Sequence, residues 1–139
     1  PPPFFQAEDG IRDRVSCLVG SEMCIRDRFM NDQMASFFKG LTEALEEARI
    51  LKLFFLNLDE STVSATMCFD YRSTMYLYNN GYDNDFSSLS VGLLGKVLSI
   101  KESIQSGKKT YDFLKGAEVY KRRLGGQPVQ LYRCLIELS

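Results

Sequence analysis

The residues with chemistry to offer lie between Met75 and Tyr120. A polar loop, Gly81 to Ser90, ends in Ser87-Ser88-Leu89-Ser90 and feeds Gly92 to Gln105, whose apolar residues recur at helical spacing. The first turn of such a helix carries N–H groups without intrahelical acceptors and lies at the positive end of the macrodipole, so it can hold a phosphate. Gly92 and Gly95 have no Cβ there, which permits either a ligand's close approach or close packing of helix on sheet. Lys121-Arg122-Arg123 reads as a solvated helix face or as part of a phosphate pocket, and Asp83 and Asp85 as solvated loop acids or contacts to an acceptor. The chain has no histidine, which removes His-dependent triads and most His-bearing metal sites. Its four cysteines are too few and too scattered for a disulfide framework or a zinc site. Cys68 falls mid-strand and reads as core packing, not as a nucleophile.

These residues need a frame. Asn31 or Asp32 is a good N-cap, and Met34, Phe37, Phe38, Leu41, Leu45 and Ala48 form the apolar stripe of a first helix. Ile50–Leu58 is apolar on both faces, as a central strand covered by helices should be. Asp59-Glu60 makes a turn into Val63–Tyr71, which alternates strictly and predicts an antiparallel partner. Arg72-Ser73 turns the chain again into a strand at Met75–Tyr78. Ser90 is placed to cap the next helix, where Leu93, Val97, Ile100 and Ile104 make a stripe with Leu94 and Leu98 beside it. Gly107 ends that helix. Tyr111–Leu114 is a strand that the right-handed crossover rule makes parallel to Met75–Tyr78, and Gly116 stops it. Glu118–Leu124 can form a short helix, and Val129–Leu138 alternates as a final strand. The fold class is α/β (α+β): a mixed sheet with an antiparallel meander, then a βαβ unit and a last strand.

Composition bounds the function. With 139 residues, 45% hydrophobic and 25% charged, the chain suits one globular domain. A net charge of −1 gives no electrostatic footprint for nucleic acid. The longest apolar run, Ile50 to Leu58, is interrupted by Lys52 and Asn57 and is too short to span a bilayer. The N-terminus shows no basic region leading into an apolar one, so no signal peptide is expected.

Pro1 to Arg28 has a different texture. It shows neither period 2 nor period 3.6, and Ile-Arg-Asp-Arg occurs at both Ile11–Arg14 and Ile25–Arg28. Back-translated, Gln6–Asp13 resembles a flow-cell adapter of short-read sequencing libraries, and Leu18–Asp27 resembles a transposon end. The order matches that of a library molecule, with Arg14–Cys17 over the variable index. Residues 1–28 are therefore expected to be an adapter-derived artefact, poorly packed against the sheet. On that reading Cys17 and Cys24 carry no information. Residues 29–139 hold as many acids as bases, and they form the C-terminal portion of a domain that lacks its N-terminal part. An exposed sheet edge at Ile50–Leu58 follows as an expectation.

Taken together, Gly81-Tyr82-Asp83, Ser87-Ser88-Leu89-Ser90-Val91-Gly92-Leu93-Leu94, and Tyr111-Asp112-Phe113-Leu114-Lys115-Gly116 followed by Glu118, Tyr120 and Lys121 resemble the C-terminal half of a Gcn5-related N-acetyltransferase (GNAT) fold. More narrowly, they are similar to the CelD/BioF2-like acetyltransferase domain, with its Asp-Phe-x-x-Gly followed by Tyr-Lys. Two positions depart from that pattern. Val91 stands where the family often has proline, and the tryptophan frequent after Tyr-Lys is missing near Leu124. The resemblance implies acetyl-CoA or another acyl-CoA as co-substrate, lying between the parallel strands, with Ser90, Val91, Gly92, Leu93, Leu94 and Lys121 as binding residues. An amine or sugar-linked acceptor would attack the thioester, and a strand N–H near Asn79 to Gly81 would stabilise the oxyanion. Asp112 or Glu118 would serve as base and Tyr120 as acid. Tyr120 could instead be a hydroxyl-capped core aromatic, and Asp112 a structural hydrogen-bonding acid. The resemblance further implies a cytoplasmic protein of polysaccharide or envelope metabolism with a small-molecule or glycan-precursor acceptor, no metal, no nucleic acid and no membrane span. This chain by itself would be inactive for want of its missing N-terminal half. A Fem-like aminoacyltransferase relative and a non-catalytic GNAT-fold binding module are the alternatives.

Overall fold

The computed structural model of the chain describes residues 4–6 and 32–137. Its elements are β1 (Phe4–Gln6), α1 (Asp32–Glu47), β2 (Leu51–Leu58), β3 (Ser61–Tyr71), β4 (Thr74–Tyr82), a 3-10 helix (Asn84–Leu89), α2 (Val91–Gln105), β5 (Thr110–Asp112) and α3 (Val119–Arg123). They build a five-stranded mixed sheet in the order β1-β2-β3-β4-β5. The α+β class and the antiparallel meander β2-β3-β4 stand as expected, and β5 joins β4 in parallel after the α2 crossover.

The meander forms because its sequence supplies both faces of a sheet. On one face Leu51, Leu53 and Phe55 of β2 meet Ala65 and Met67 of β3, and Leu41 and Leu45 of α1 cover them. On the other, Phe54, Cys68, Met75 and Leu77 pack with Tyr111 and Phe113. Leu56, Val63 and Val91 form a third cluster with Tyr82, Phe86 and Leu98. Leu53, Phe54, Phe55, Val63 and Met67 are almost wholly buried, and each such side chain contributes roughly 1.5–3 kcal/mol.

Four expectations fail, each for a physical reason. Over the described residues the final strand expected at Val129–Leu138 is not formed: residues 126–137 are irregular, and Tyr132 is 91% exposed. Alternation makes a strand only where a sheet edge supplies ladder partners, and β5, at three residues, offers a short one. β4 runs on through Asn79-Asn80-Gly81-Tyr82, residues with turn chemistry, because β3 is long enough to pair with them. The β2 edge is not left open, since Phe4, Phe5 and Gln6 pair with Leu56, Phe55 and Phe54. Finally, the buried face of α2 is not the leucine stripe. Val91, Gly92, Gly95, Ser99 and Ser103 face inward, whereas Leu93, Leu94, Val97 and Ile104 are exposed. The remaining readings of residues 7–31, including the Asn31 cap, Cys17, Cys24 and most of the adapter stretch, lie outside the described residues.

Candidate functional site

Two features of the sheet open a cleft. The first is where β4 and β5 part. Thr74, Met75 and Tyr76 pair with Thr110, Tyr111 and Asp112; beyond that β4 continues to Tyr82 while β5 stops. The stop is local: Asp112 Oδ1 accepts the N–H of Leu114 at 2.7 Å, and Leu114 turns the chain at φ 56°. The second feature is a bulge in β4. Met67 opposes Asn79 and Cys68 opposes Leu77, so Tyr78 is the extra residue. It packs toward α1, on Phe38 and Phe69, with ring centroids 6.2 and 4.7 Å away. The bulge inverts the alternation that follows, so Asn80 and Tyr82 face α2 where Asn79 and Gly81 otherwise would.

Asn80 is held on that face by two bonds. Its Nδ2 donates to Thr66 Oγ1 at 2.9 Å and to the Ala65 carbonyl at 3.2 Å. The N–H of Asp83 bonds the Val63 carbonyl at 3.0 Å, so alternation along β4 turns the Asn80 N–H away from β3. That N–H is bonded to Asn79 Oδ1 at 2.9 Å, a contact within one dipeptide.

α2 lies close on the sheet because its inner residues are small. A Cβ on Gly95 would stand 2.7 Å from Ser64 Oγ, and one on Gly92 would stand 2.5 Å from the Tyr82 ring. Close helix-on-sheet packing is thus the use of both glycines. Ser90 precedes the helix in a left-handed conformation, φ 53°, without a side-chain cap; its carbonyl accepts the N–H groups of Leu93 and Leu94 at 2.9 Å. Helix geometry leaves the Val91 and Gly92 N–H groups without an i−4 helical acceptor, and the first turn contains no acidic residue. This donor set suits an anion. The helix ends as expected on Gly107, φ 74°, with its N–H on Ile104 and that of Lys108 on Ser103.

Between α2 and the sheet runs a relay of hydroxyls. Ser99 Oγ donates to the Lys96 carbonyl at 2.8 Å, so Tyr111, whose hydroxyl is 2.8 Å from Ser99 Oγ, is the donor to it. Cys68 Sγ lies 3.9 Å from the same hydroxyl. Burial pushes the Cys68 thiol up to about 12, and it raises the Tyr111 phenol as well. Cys68 is therefore inert core, as its mid-strand position implies.

The predicted catalytic residues separate. Tyr120 is half-buried on α3, its ring edge-on to Phe113 at 6.1 Å between centroids, and its phenol is raised first by burial and then by Glu118. It stays protonated at neutral pH, the state a general acid needs. Glu118 is exposed and ion-paired to Lys121 at 2.8 Å; the hydrogen bond from Lys121 holds its carboxyl below the usual range, which weakens it as a base. Asp112 has its carboxylate on the Leu114 N–H, in keeping with a structural acid. Lys121 is neither a solvated lysine nor free to meet a phosphate. It is buried, and its ammonium donates to the carbonyls of Leu114, Lys115 and Gly116 at 3.3, 3.1 and 3.3 Å, tying the β5–α3 loop together. Arg122 and Arg123 are exposed.

Sequence reasoning missed Lys96. Its ammonium donates to Asn80 Oδ1 and to the Gly92 carbonyl, the latter at 3.0 Å, and stands 4.7 Å from the centroid of the Tyr120 ring. It thus joins β4, α2 and α3 across the cleft. Burial lowers it from its ordinary 10.5 to about 8. The signal in the sequence was a lysine four residues after Gly92, on the face where the small residues lie. Among the described residues no group of acids, cysteines or histidines could hold a metal ion, and no helix is long and apolar enough to cross a membrane.

The family described as "Acetyltransferase (GNAT) domain" matches residues 13–122. No curated protein matches the chain. Among solved structures, one described as a probable acetyltransferase superposes with a TM-score of 0.70 at 9% identity, over 98% of this chain and 97% of that one. A possible acetyltransferase from Clostridium difficile 630 gives 0.65 at 12% identity, over 98% of each chain. A ribosomal-protein-alanine N-acetyltransferase from Brucella melitensis biovar Abortus 2308 gives 0.58 at 11% identity, over 98% of this chain and 99% of that one.

Proposed function

Because the chain belongs to the acetyltransferase (GNAT) domain family, we propose that it transfers an acyl group from an acyl-CoA to an amine or sugar-linked acceptor. The observation that carries this reading is the parting of β4 from β5 beyond Tyr76 and Asp112, which opens the sheet between Asn80, α2 and Tyr120. The Val91 and Gly92 N–H groups, at the mouth of that opening, would hold the pyrophosphate, and Ser90, Leu93 and Leu94 shape the turn that presents them. The Asn80 N–H, released from Asn79, would bond the thioester carbonyl as negative charge develops on it. The acceptor nitrogen or oxygen forms a bond to the acyl carbon, the C–S bond breaks, and Tyr120 gives the departing sulfur its proton. The proton lost by the acceptor passes to solvent.

Isothermal titration calorimetry with acetyl-CoA tests the reading. Saturable binding that Ser90→Asp abolishes, with the fold intact by circular dichroism, is the expected result; binding unchanged by that carboxylate rejects the phosphate role of the α2 terminus. A CelD/BioF2-like acceptor range, cytoplasmic and tied to envelope polysaccharide, belongs to the same proposal. So does the origin of residues 1–28 in library DNA. The family match from residue 13 and the pairing of β1 on β2 weigh against that last point. Sequencing the locus across the Arg28–Phe29 junction decides it.

A further inference from the structure

The cleft contains a cation whose position is difficult to explain by folding alone. Lys96 extends from the inner side of α2, is half-buried, and forms no salt bridge among the described residues. Burying an unpaired ammonium costs free energy unless polar groups compensate, and here only two neutral oxygens, Asn80 Oδ1 and the Gly92 carbonyl, do so. The ionisable groups around it are few. Tyr120 presents its ring face from α3, and Tyr111 and Cys68 stand behind Ser99 and are held neutral by burial. Glu118, on the far side of Tyr120, is committed to Lys121. The aromatic face stabilises the ammonium, and the ammonium in turn draws electron density from the phenol. The same side chain therefore touches the residue beside the thioester carbonyl and the residue beside the sulfur.

We propose that Lys96 is the fixed positive charge of the thioester cleft. It stabilises the thiolate that departs from CoA, and it orients Asn80 and Tyr120 around the reacting bond. This rests on the acyl-CoA reading of the cleft. Lys96 is a positioning residue toward Asn80 and Tyr120, and it makes Tyr120 a readier proton donor to the sulfur. No bond to Lys96 forms or breaks. In its neutral form the charge is lost, so the effect weakens as pH rises past about 8, where the buried ammonium titrates.

The test uses the full chain and free CoA, so it does not depend on knowing the acceptor. The thiol of bound CoA is titrated by the ultraviolet absorbance of its thiolate, in the wild type and in Lys96→Met and Lys96→Arg. A cation within about 4–6 Å shifts an acidic group by about one unit or more, so at a pH below about 8, where Lys96 carries its charge, the wild type should hold at least about tenfold more thiolate than Lys96→Met. Lys96→Arg should restore most of the difference. Calorimetry run alongside should show CoA bound by all three proteins, because the pyrophosphate lies at another part of the cleft. Equal thiol ionisation in the wild type and Lys96→Met, with CoA bound to both, overturns the inference and leaves the acyl-CoA reading standing. Failure of the wild type to bind CoA overturns both.

Discussion

The two faces of one sheet have been put to different uses. Toward α1 the β2–β3 ladder shows Leu51, Leu53, Phe55, Ala65 and Met67, an apolar cluster packed under Leu41 and Leu45. Toward α2 the alternate residues of the same strands are Phe54, Ser64, Thr66 and Cys68, and the helix that covers them turns Gly92, Gly95, Ser99 and Ser103 inward. The first face has large side chains and few hydrogen bonds; the second has small ones tied by hydroxyl contacts, from Ser64 to the Gly81 carbonyl at 3.1 Å and from Ser103 to the Ser99 carbonyl at 2.7 Å. The apolar face fixes the fold by area. The small, polar face brings α2 within reach of Asn80 and Tyr120 without filling the space between β4 and β5. Cleft and core are made from successive residues of the same strands.

That contrast can be broken deliberately. Phe55→Ala removes a fully buried ring from the apolar face and should cost about 3–5 kcal/mol in urea denaturation. If it cost no more than a surface substitution, the α1 face would not be the core. On the other face the damage should come from adding atoms. Gly95→Ala pushes a methyl against Ser64 Oγ and should cost about 1–3 kcal/mol; Ser64→Gly in the same chain should recover part of it. Strict additivity of the two changes would mean that the glycine does not set the helix-to-sheet distance.

Removing only a hydrogen bond should matter less. Tyr111→Phe leaves Ser99 its bond to the Lys96 carbonyl and takes away one donor, so about 0.5–1.5 kcal/mol is expected. The smallest effect should come from outside both faces. Lys108 and Asp70 form an ion pair near the β5 end of the sheet, and Asp70→Asn should change stability by less than about 1 kcal/mol, the more so in high salt. A pH series separates the faces in another way. Lys96 is lowered from 10.5 to about 8 in the folded protein, so between those values the unfolded chain binds the extra proton. Stability contributed through Lys96 therefore rises as pH climbs from about 8 toward 10.5, and Lys96→Met should lose that rise in thermal melts. An identical pH profile for the two proteins would place Lys96 in water.

Much of this architecture could be read from residues alone, and the places where reading failed are informative. The α1 helix, the β2 run, the β3 alternation and the Gly107 stop are local patterns with one strong solution each, and all four appear, although Phe37 and Ala48 of the α1 stripe are exposed. The α2 stripe was legible as a helix but not in its facing. Leucines at helical spacing normally point inward, yet here Gly92, Gly95, Ser99 and Ser103 do, because Ser64, Thr66 and Tyr82 leave room only for small side chains. The final strand alternates well from Val129 onward, but alternation carries no information about whether an edge awaits it. Within the site, Tyr120 and the α2 terminus were visible through their sequence context. Lys96 was hidden, since its partners lie 16 residues back on β4 and well ahead on α3.

The order and kind of the elements from α1 to α3, the parallel return of β5 among them, follow from residues alone, because periodicity, turn chemistry and crossover handedness are set by neighbours along the chain. The assembled fold settles which face of α2 is buried, that the bulge at Tyr78 turns Asn80 into the cleft, that Lys121 ties a loop, and that Lys96 stands between β4 and α3. Those outcomes depend on which side chains meet across the sheet, and burial assigns a role to a charge only once its surroundings exist.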